Sequence, residues 1–165
     1  MDDEMKENSC CFTGHRNIPH TQFTQIAHEL NKLIDSFIHD GITYFYAGGA
    51  LGFDTLAAQA VIRAKEKYPH IKLILLLPCK SQARFWESED IAKYEEIKEN
   101  ADEVRYVSAE YTKACMFERN RALVDSSSIC VCYLNTASGG TAYTVRYAMS
   151  KGLRIINMTK KLASA

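Results

Sequence analysis

Two hydrophobic periodicities alternate along this chain, and that alternation constrains its fold more than any other feature. Short β-rich or unbroken apolar runs read as strands: Ser9 to Thr13, Thr43 to Ala47, Ile71 to Leu77, Glu103 to Val107, Ile129 to Leu134 and Arg154 to Met158. Between them apolar residues return at three- and four-residue spacing. Phe23, Ile26, Leu30, Ile34, Phe37 and Ile38 mark a helix that stops near Asp40-Gly41. Phe53 opens a second helix with Leu56, Ala57, Ala60, Val61 and Ala64 on one face. Residues 81–100, Thr112 to Ser126 and Thr141 to Lys151 supply three more helical patterns. Strands separated by helices form βαβ units, and right-handed crossovers then build a parallel sheet. Ile71 to Leu77 carries no polar residue except Lys72, the pattern of a strand covered on both faces. The expected fold is an α/β, three-layer, Rossmann-like domain with a mostly parallel sheet and helices on both faces. It occupies residues 1–165 as one domain, with its core at 9–158.

Composition admits this fold and narrows the function. Hydrophobic residues make up 47% and charged residues 24%, ordinary for a globular protein. Lys+Arg and Asp+Glu are 20 each, so the formal net charge is zero. A general nucleic-acid binder carries a basic excess, so nucleic acid is not the expected partner, although a local basic pocket is compatible with neutrality. No apolar stretch is long enough to span a bilayer, and the acidic start Met1-Asp2-Asp3-Glu4 has no signal-peptide pattern. The expectation is a cytoplasmic protein with no membrane partner. Of six cysteines, Cys10, Cys11, Cys130 and Cys132 fall inside strand runs, where cysteine packs as a small hydrophobe. No Cys-x-x-Cys and no cysteine-histidine cluster stands at zinc spacing, so neither a metal nor a cofactor is expected.

In an open parallel sheet, ligands bind outside the carboxyl ends of the strands. The unusual residues of this chain gather at those ends. The first strand leads into Thr13-Gly14-His15-Arg16, the second into Gly48-Gly49-Ala50-Leu51-Gly52-Phe53-Asp54, and the fifth into Asn135 and Ser138-Gly139-Gly140-Thr141. Two of these loops are glycine-rich and run into helix starts, where free N–H groups and the positive helix end favour anions. Each feature also has a plain structural reading. Gly48-Gly49 can be a tight turn, Asp54 a first-turn carboxylate, and His15 a stacked loop residue. The Thr112 helix places Asn120 on an apolar face with Met116, Leu123 and Val124. That amide either ties down a loop or reads a ligand. Of its neighbours Arg119 and Arg121, one is expected to reach the crevice and the other to pair with Glu118 or Asp125. Trp86 is either a core anchor or a stacking face for a base.

"YAGGALGFDTLAAQAVIRA" followed by "FERNRALVDSSSICVCYLNTASGGTAYTVRYAMSKGLRIINM" resembles the Rossmann-like core of the DNA-processing protein A (Smf/DprA) family. Arg119-Asn120-Arg121 matches that family's Arg-Asn-Arg helix start directly. Ser138 to Thr144 matches its Ser-Gly-Ser-Leu-x-Thr-Ala loop with a one-residue slip. The opening Thr13-Gly14-His15-Arg16 and the Trp86 segment are most similar to the YpsA-like family of the SLOG superfamily, which also holds the Lonely-guy phosphoribohydrolases. The resemblance spans residues 9–158 and implies a pocket for a nucleotide or nucleotide-derived ligand.

Lonely-guy enzymes cleave the bond between a base and ribose 5′-monophosphate, with a Pro-Gly-Gly-x-Gly-Thr-x-x-Glu motif and an upstream arginine. Arg119 lines up with that arginine. The glutamate position, counted from Gly139-Gly140, holds Arg146, and the motif's third glycine and threonine are Ala142 and Tyr143. An oxocarbenium-like transition state needs a nearby carboxylate, and only Asp54 or Glu118 is available to serve. The leading expectation is therefore a sensing or regulatory domain that binds a nucleotide-like small molecule. Its ligand contacts are Thr13, Gly14, His15, Arg16, Gly48, Gly49, Ala50, Gly52, Asp54, Arg119, Asn120, Asn135, Ser138, Gly139, Gly140 and Thr141. Phosphoribohydrolase activity and single-stranded DNA binding are the alternatives, and the superfamily's habit of pairing implies a possible homodimer.

Overall fold

Helices and strands fall largely where the two periodicities place them in a computed structural model that describes residues 3–164. Met1 and Asp2 of the acidic N-terminus, and Ala165, lie outside the described residues. After a short helix α1 (Asp3–Glu7) come β1 (Ser9–Gly14), a 3-10 turn at His20–Gln22, α2 (Phe23–His39) and β2 (Tyr44–Ala47). They are followed by α3 (Phe53–Lys67), β3 (Lys72–Leu77), α4 (Ser88–Asn100), β4 (Glu103–Tyr106) and α5 (Cys115–Asp125). The chain continues with β5 (Ile129–Tyr133), α6 (Gly140–Ser150), β6 (Arg154–Asn157) and α7 (Met158–Ser164).

The strands form one six-stranded sheet in the order β4-β3-β2-β1-β5-β6, and every pairing in it is parallel. Strands β1 to β4 are laid down outward in one direction. The chain then returns to set β5 on the other side of β1, with Cys11 beside Cys130, so the winding reverses between β1 and β5. Both faces are covered, as an all-parallel sheet requires. On one face Phe12, Phe45, Leu73, Leu75 and Val131 meet Ile26, Leu30, Ile34 and Phe37 of α2, Ala57 and Val61 of α3, and Tyr94 and Ile97 of α4. On the other, Cys11, Tyr46, Ile74, Cys130 and Cys132 meet Leu123 and Val124 of α5 and Val145 and Ala148 of α6. Each fully buried leucine, isoleucine or phenylalanine of these layers contributes about 1.5–3 kcal/mol.

All six cysteines are buried free thiols. Burial pushes the Cys132 thiol up to about 12, so it stays protonated and packs as a hydrophobe.

Several ends shift by one residue from the sequence reading, and three departures change the local structure. The helix expected over 81–100 begins only at Ser88. Residues 81–86 close instead into turns, with the Arg84 N–H donating to Ser81 O and the Trp86 N–H to Ala83 O, and Glu87 is extended at φ −65° and ψ 153°. The helix expected from Thr112 begins at Cys115. Met158, read as the end of the last strand, instead opens α7.

Candidate functional site

The reversal between β1 and β5 opens a crevice at the carboxyl edge of the sheet, where such folds receive ligands. A cleft of about 360 Å³ lies there, walled by the end of β1, the loop after β2, the turns after β3, the start of α5 and the start of α6. Glycine shapes its floor. Gly52 has φ +77°, and a side chain there would collide with the backbone carbonyl of Arg16. The Phe53 N–H donates to His15 O at 3.1 Å, so the loops after β1 and β2 are laced together. Gly48 leaves room for Arg119: a Cβ at Gly48 would stand 2.7 Å from Nη1 of that guanidinium.

Helix α5 buries Leu123 and Val124 as its apolar spacing indicates, but its first turns are rotated from the expected face. Cys115, Arg119, Leu123 and Val124 are buried, whereas Met116 is 38% exposed and Asn120 only half-buried. The polar interruption of the apolar face is therefore Arg119, 5% exposed, and not Asn120. Arg119 Nη1 donates to the Gly48 carbonyl, Nε donates to Asn120 Oδ1 at 2.8 Å, and Nη2 lies 4.0 Å from the Met116 sulfur. All three partners are neutral. Burial works to lower the pKa of this guanidinium and the charge of Asp54 works against it. A guanidinium keeps its proton in proteins, so a full positive charge sits under the cleft. Arg121 reaches neither the crevice nor an acid: its Nη1 donates to the Tyr143 hydroxyl at 2.9 Å.

Asp54, in the first turn of α3, is also 5% exposed. Its Oδ2 accepts the Ala50 N–H at 3.2 Å, while Oδ1 is shielded from water and has no hydrogen-bond partner. Burial raises its pKa from 3.8 to about 6, against the pull of Arg119 and the Ala50 N–H. On the opposite wall Gln82 Oε1 accepts the Tyr94 hydroxyl at 3.3 Å, and its Nε2 is likewise buried without a partner. A buried polar atom left unpaired costs about 1–3 kcal/mol, so the cleft carries an acceptor and a donor that its own residues leave unused.

The structure brings together Thr13, Gly14, His15, Arg16, Ala50, Asp54, Arg119, Asn120, Gly140 and Thr141 of the residues singled out from the sequence. Gly48, Gly49 and Gly52 shape the loop behind them. Asn135 supports His15, its N–H donating to Nε2 at 3.1 Å. The His15 ring also meets Tyr133 edge-on at 6.1 Å, so it packs in the loop without stacking on that ring. Gly139, at φ +101°, caps α6, and Ser138 lies exposed in the same loop. Glu118 is exposed on α5 and does not line the cleft. That leaves Asp54 as the only carboxylate lining it among the described residues. Leu51, Gln82 and Met116 line the cleft without having been singled out, and Trp86 does so while meeting Tyr94 edge-on at 5.2 Å. For Gln82 the available signal is its place just after the third strand, at the carboxyl edge of the sheet where ligands bind.

Comparison with known proteins agrees with this architecture. The model of the YspA SLOG family matches residues 10–160. The SPbeta prophage-derived protein YoqJ of Bacillus subtilis is 32% identical over 116 residues, covering 63% of this chain and 68% of that protein. A UPF0398 protein of Halalkalibacterium halodurans is 30% identical over 135 residues, covering 80% of this chain and 71% of its own. Among solved structures, DNA processing protein A from Helicobacter pylori, described with a single-stranded DNA binding mode, superposes with a TM-score of 0.65 at 16% identity, over 98% of this chain and 73% of its own. DNA processing protein A from Streptococcus pneumoniae also gives a TM-score of 0.65 at 16% identity, over 93% of this chain and half of its own. These two likenesses are of fold. No helix among the described residues is long and apolar enough to cross a membrane.

Proposed function

Because the chain belongs to the YspA SLOG family, we propose that it is a cytoplasmic sensing or regulatory protein that binds a nucleotide or nucleotide-derived small molecule in the crevice between β1 and β5. One observation carries this reading. A buried guanidinium that meets only neutral acceptors, and a buried carboxylate oxygen with no partner, stand together in a cleft at the point where the sheet reverses. An anion satisfies the first, and a hydroxyl donor such as a ribose satisfies the second. Arg16, which is exposed, and the free N–H groups at Gly140 and Thr141 take the phosphate, with Arg119 supplying charge from below. Asp54 receives the ribose, and Trp86 offers a ring to the base.

Binding is favoured over cleavage of the base–ribose bond, since Arg146 stands at the glutamate position of the Lonely-guy motif and Glu118 lies outside the cleft. The test is calorimetric titration with a panel of nucleotides, followed by chromatography of the recovered ligand. At least one nucleotide should bind and return intact. Arg16→Ala should weaken it at least about tenfold, or 1.4 kcal/mol, without altering the fold. Unchanged affinity removes Arg16 from the site, and free base in the recovered ligand replaces this reading with hydrolysis.

A strand-binding reading has one observation in its favour. Phe85 is 88% exposed with the Arg84 guanidinium 5.0 Å from its ring centre, and Tyr111 is 67% exposed across a neighbouring pocket. Exposed rings beside cations suit stacked bases. The zero net charge weighs against it, and a mobility shift with single-stranded DNA at low salt decides it.

A further inference from the structure

A second and larger cavity, about 680 Å³, adjoins the cleft on the far side of Arg16. It is enclosed by residues 17–20 and Phe23, by the outer face of α3 through Thr55, Leu56 and Gln59, and by Asp90 and Lys93 of α4. Arg16 and Leu51 line both spaces, so the two cavities meet across a saddle formed by these residues. The chemistry of the saddle differs from that of the hollow beyond it. Arg16 and Lys93 are exposed cations that make no ion pair or hydrogen bond, which leaves both free for an anion. The hollow has an apolar floor of Ile18, Leu51 and Leu56. One end is walled by the Phe23 ring, which His20 meets at 4.7 Å, and the Gln59 amide stands at the rim. A flat ring fits such a floor, and a linking anion fits the saddle.

Resting on the nucleotide reading of the first cleft, we infer that the ligand is two-headed. It carries two ring-bearing groups joined through phosphate, with the phosphates over Arg16, one head in the Asp54 cleft and the other in the cavity between Phe23, Leu56 and Lys93. A pyrophosphate-bridged dinucleotide has this chemistry. Joining two heads makes the second contact intramolecular, so the bridged molecule gains affinity that either half lacks.

The experiment compares binding of AMP, NAD, diadenosine diphosphate and a single-stranded dinucleotide by calorimetry, in the wild type and in two variants that fill only the second cavity. Leu56→Phe fills the space above its floor without adding charge near the phosphates. Leu56 packs partly against the core, so Gln59→Trp, at the half-exposed rim, fills the same space with less demand on the fold. A bridged dinucleotide should bind the wild type at least about tenfold more tightly than AMP, and both variants should erase that advantage while leaving AMP affinity unchanged. Equal affinity for AMP and the bridged molecules, or an advantage that survives both substitutions, overturns the two-headed ligand and leaves the nucleotide cleft standing. Tighter binding of the single-stranded dinucleotide overturns the small-molecule class in favour of a strand. Absence of binding by every compound overturns both readings together.

Discussion

Replacing Asp54 by asparagine should make the protein more stable at neutral pH and poorer at its work. The carboxyl is held at about 6 instead of 3.8, mainly by burial, a rise of about two units. At 1.36 kcal/mol per unit, the ionised group therefore costs the folded state about 3 kcal/mol once the pH is well above 6. Between about pH 4 and pH 6 the folded state holds a proton that the unfolded chain has released, so this contribution to stability falls as the pH rises and is spent above 6. Asparagine keeps an oxygen for the Ala50 N–H and carries no charge, and the position of Oδ1 is unpaired in either case. Asp54→Asn should be about 2–3 kcal/mol more stable than the wild type at pH 7.5 and about equal to it at pH 4. At roughly 2–4 °C per kcal/mol for a domain of this size, the melting temperature should rise by about 5 °C or more at pH 7.5. Urea unfolding of both proteins at the two pH values measures this, and taking their difference cancels the other titrating groups. A variant less stable than the wild type at pH 7.5, or a gap that does not change with pH, refutes the reasoning. On the proposed reading ligand affinity should fall in the same variant, because the unpaired Oδ1 is the acceptor proposed to meet the ribose.

Other perturbations give sharp expectations. Partial burial works to raise the pKa of Asp102, but the Lys65 ammonium at 2.5 Å and the Leu73 N–H at 2.8 Å outweigh it and hold the carboxyl below its usual value. Its contribution thus has the opposite sign, present at neutral pH and lost as the pH falls through the carboxylate range. Asp102→Asn should cost about 1 kcal/mol at pH 7, kept low by solvent screening, and less at pH 3 in the same unfolding assay. Gly48→Ala drives a methyl group into the Arg119 guanidinium and should destabilise by about 1–3 kcal/mol while weakening any anion bound above it. Trp86, the sole tryptophan, lines the cleft, so its fluorescence should change on saturation with a nucleotide that binds there, and Arg16→Ala should shift that titration to higher concentration.

Much of the fold was legible because each strand run is short, apolar and bounded by helical spacing, as with Ile71 to Leu77 between the helices of Phe53 and Ser88. Position at strand ends likewise led to Thr13, Arg16, Ala50, Asp54 and Gly140, since topology alone decides where those ends point. The α5 face was misread for a physical reason. Hydrophobic patterning puts Met116 and Asn120 on the inward face, yet the Gly48 carbonyl and the space left by its missing side chain bury Arg119 there, while Met116 is left on the rim. That exchange depends on a partner 71 residues away, which no local spacing records. The charged run over 81–100 reads as helix, where a glutamine such as Gln82 carries no signal. In the turns that residues 81–86 form, it is fastened to Tyr94 and set into the cleft wall.

The pairing of β1 with β5 has a consequence for how the protein comes into being. Cys130, the neighbour of Cys11, leaves the ribosome 119 residues after it, roughly ten seconds at ordinary rates of synthesis. Until then the crevice lacks its β5 side, and the α6 turn that lines the cleft follows later still. Through that interval the nascent chain has an open sheet edge at β1. The cleft is complete only once α6 has been made, so a ligand of the proposed kind would stabilise the finished fold but would not guide the chain towards it.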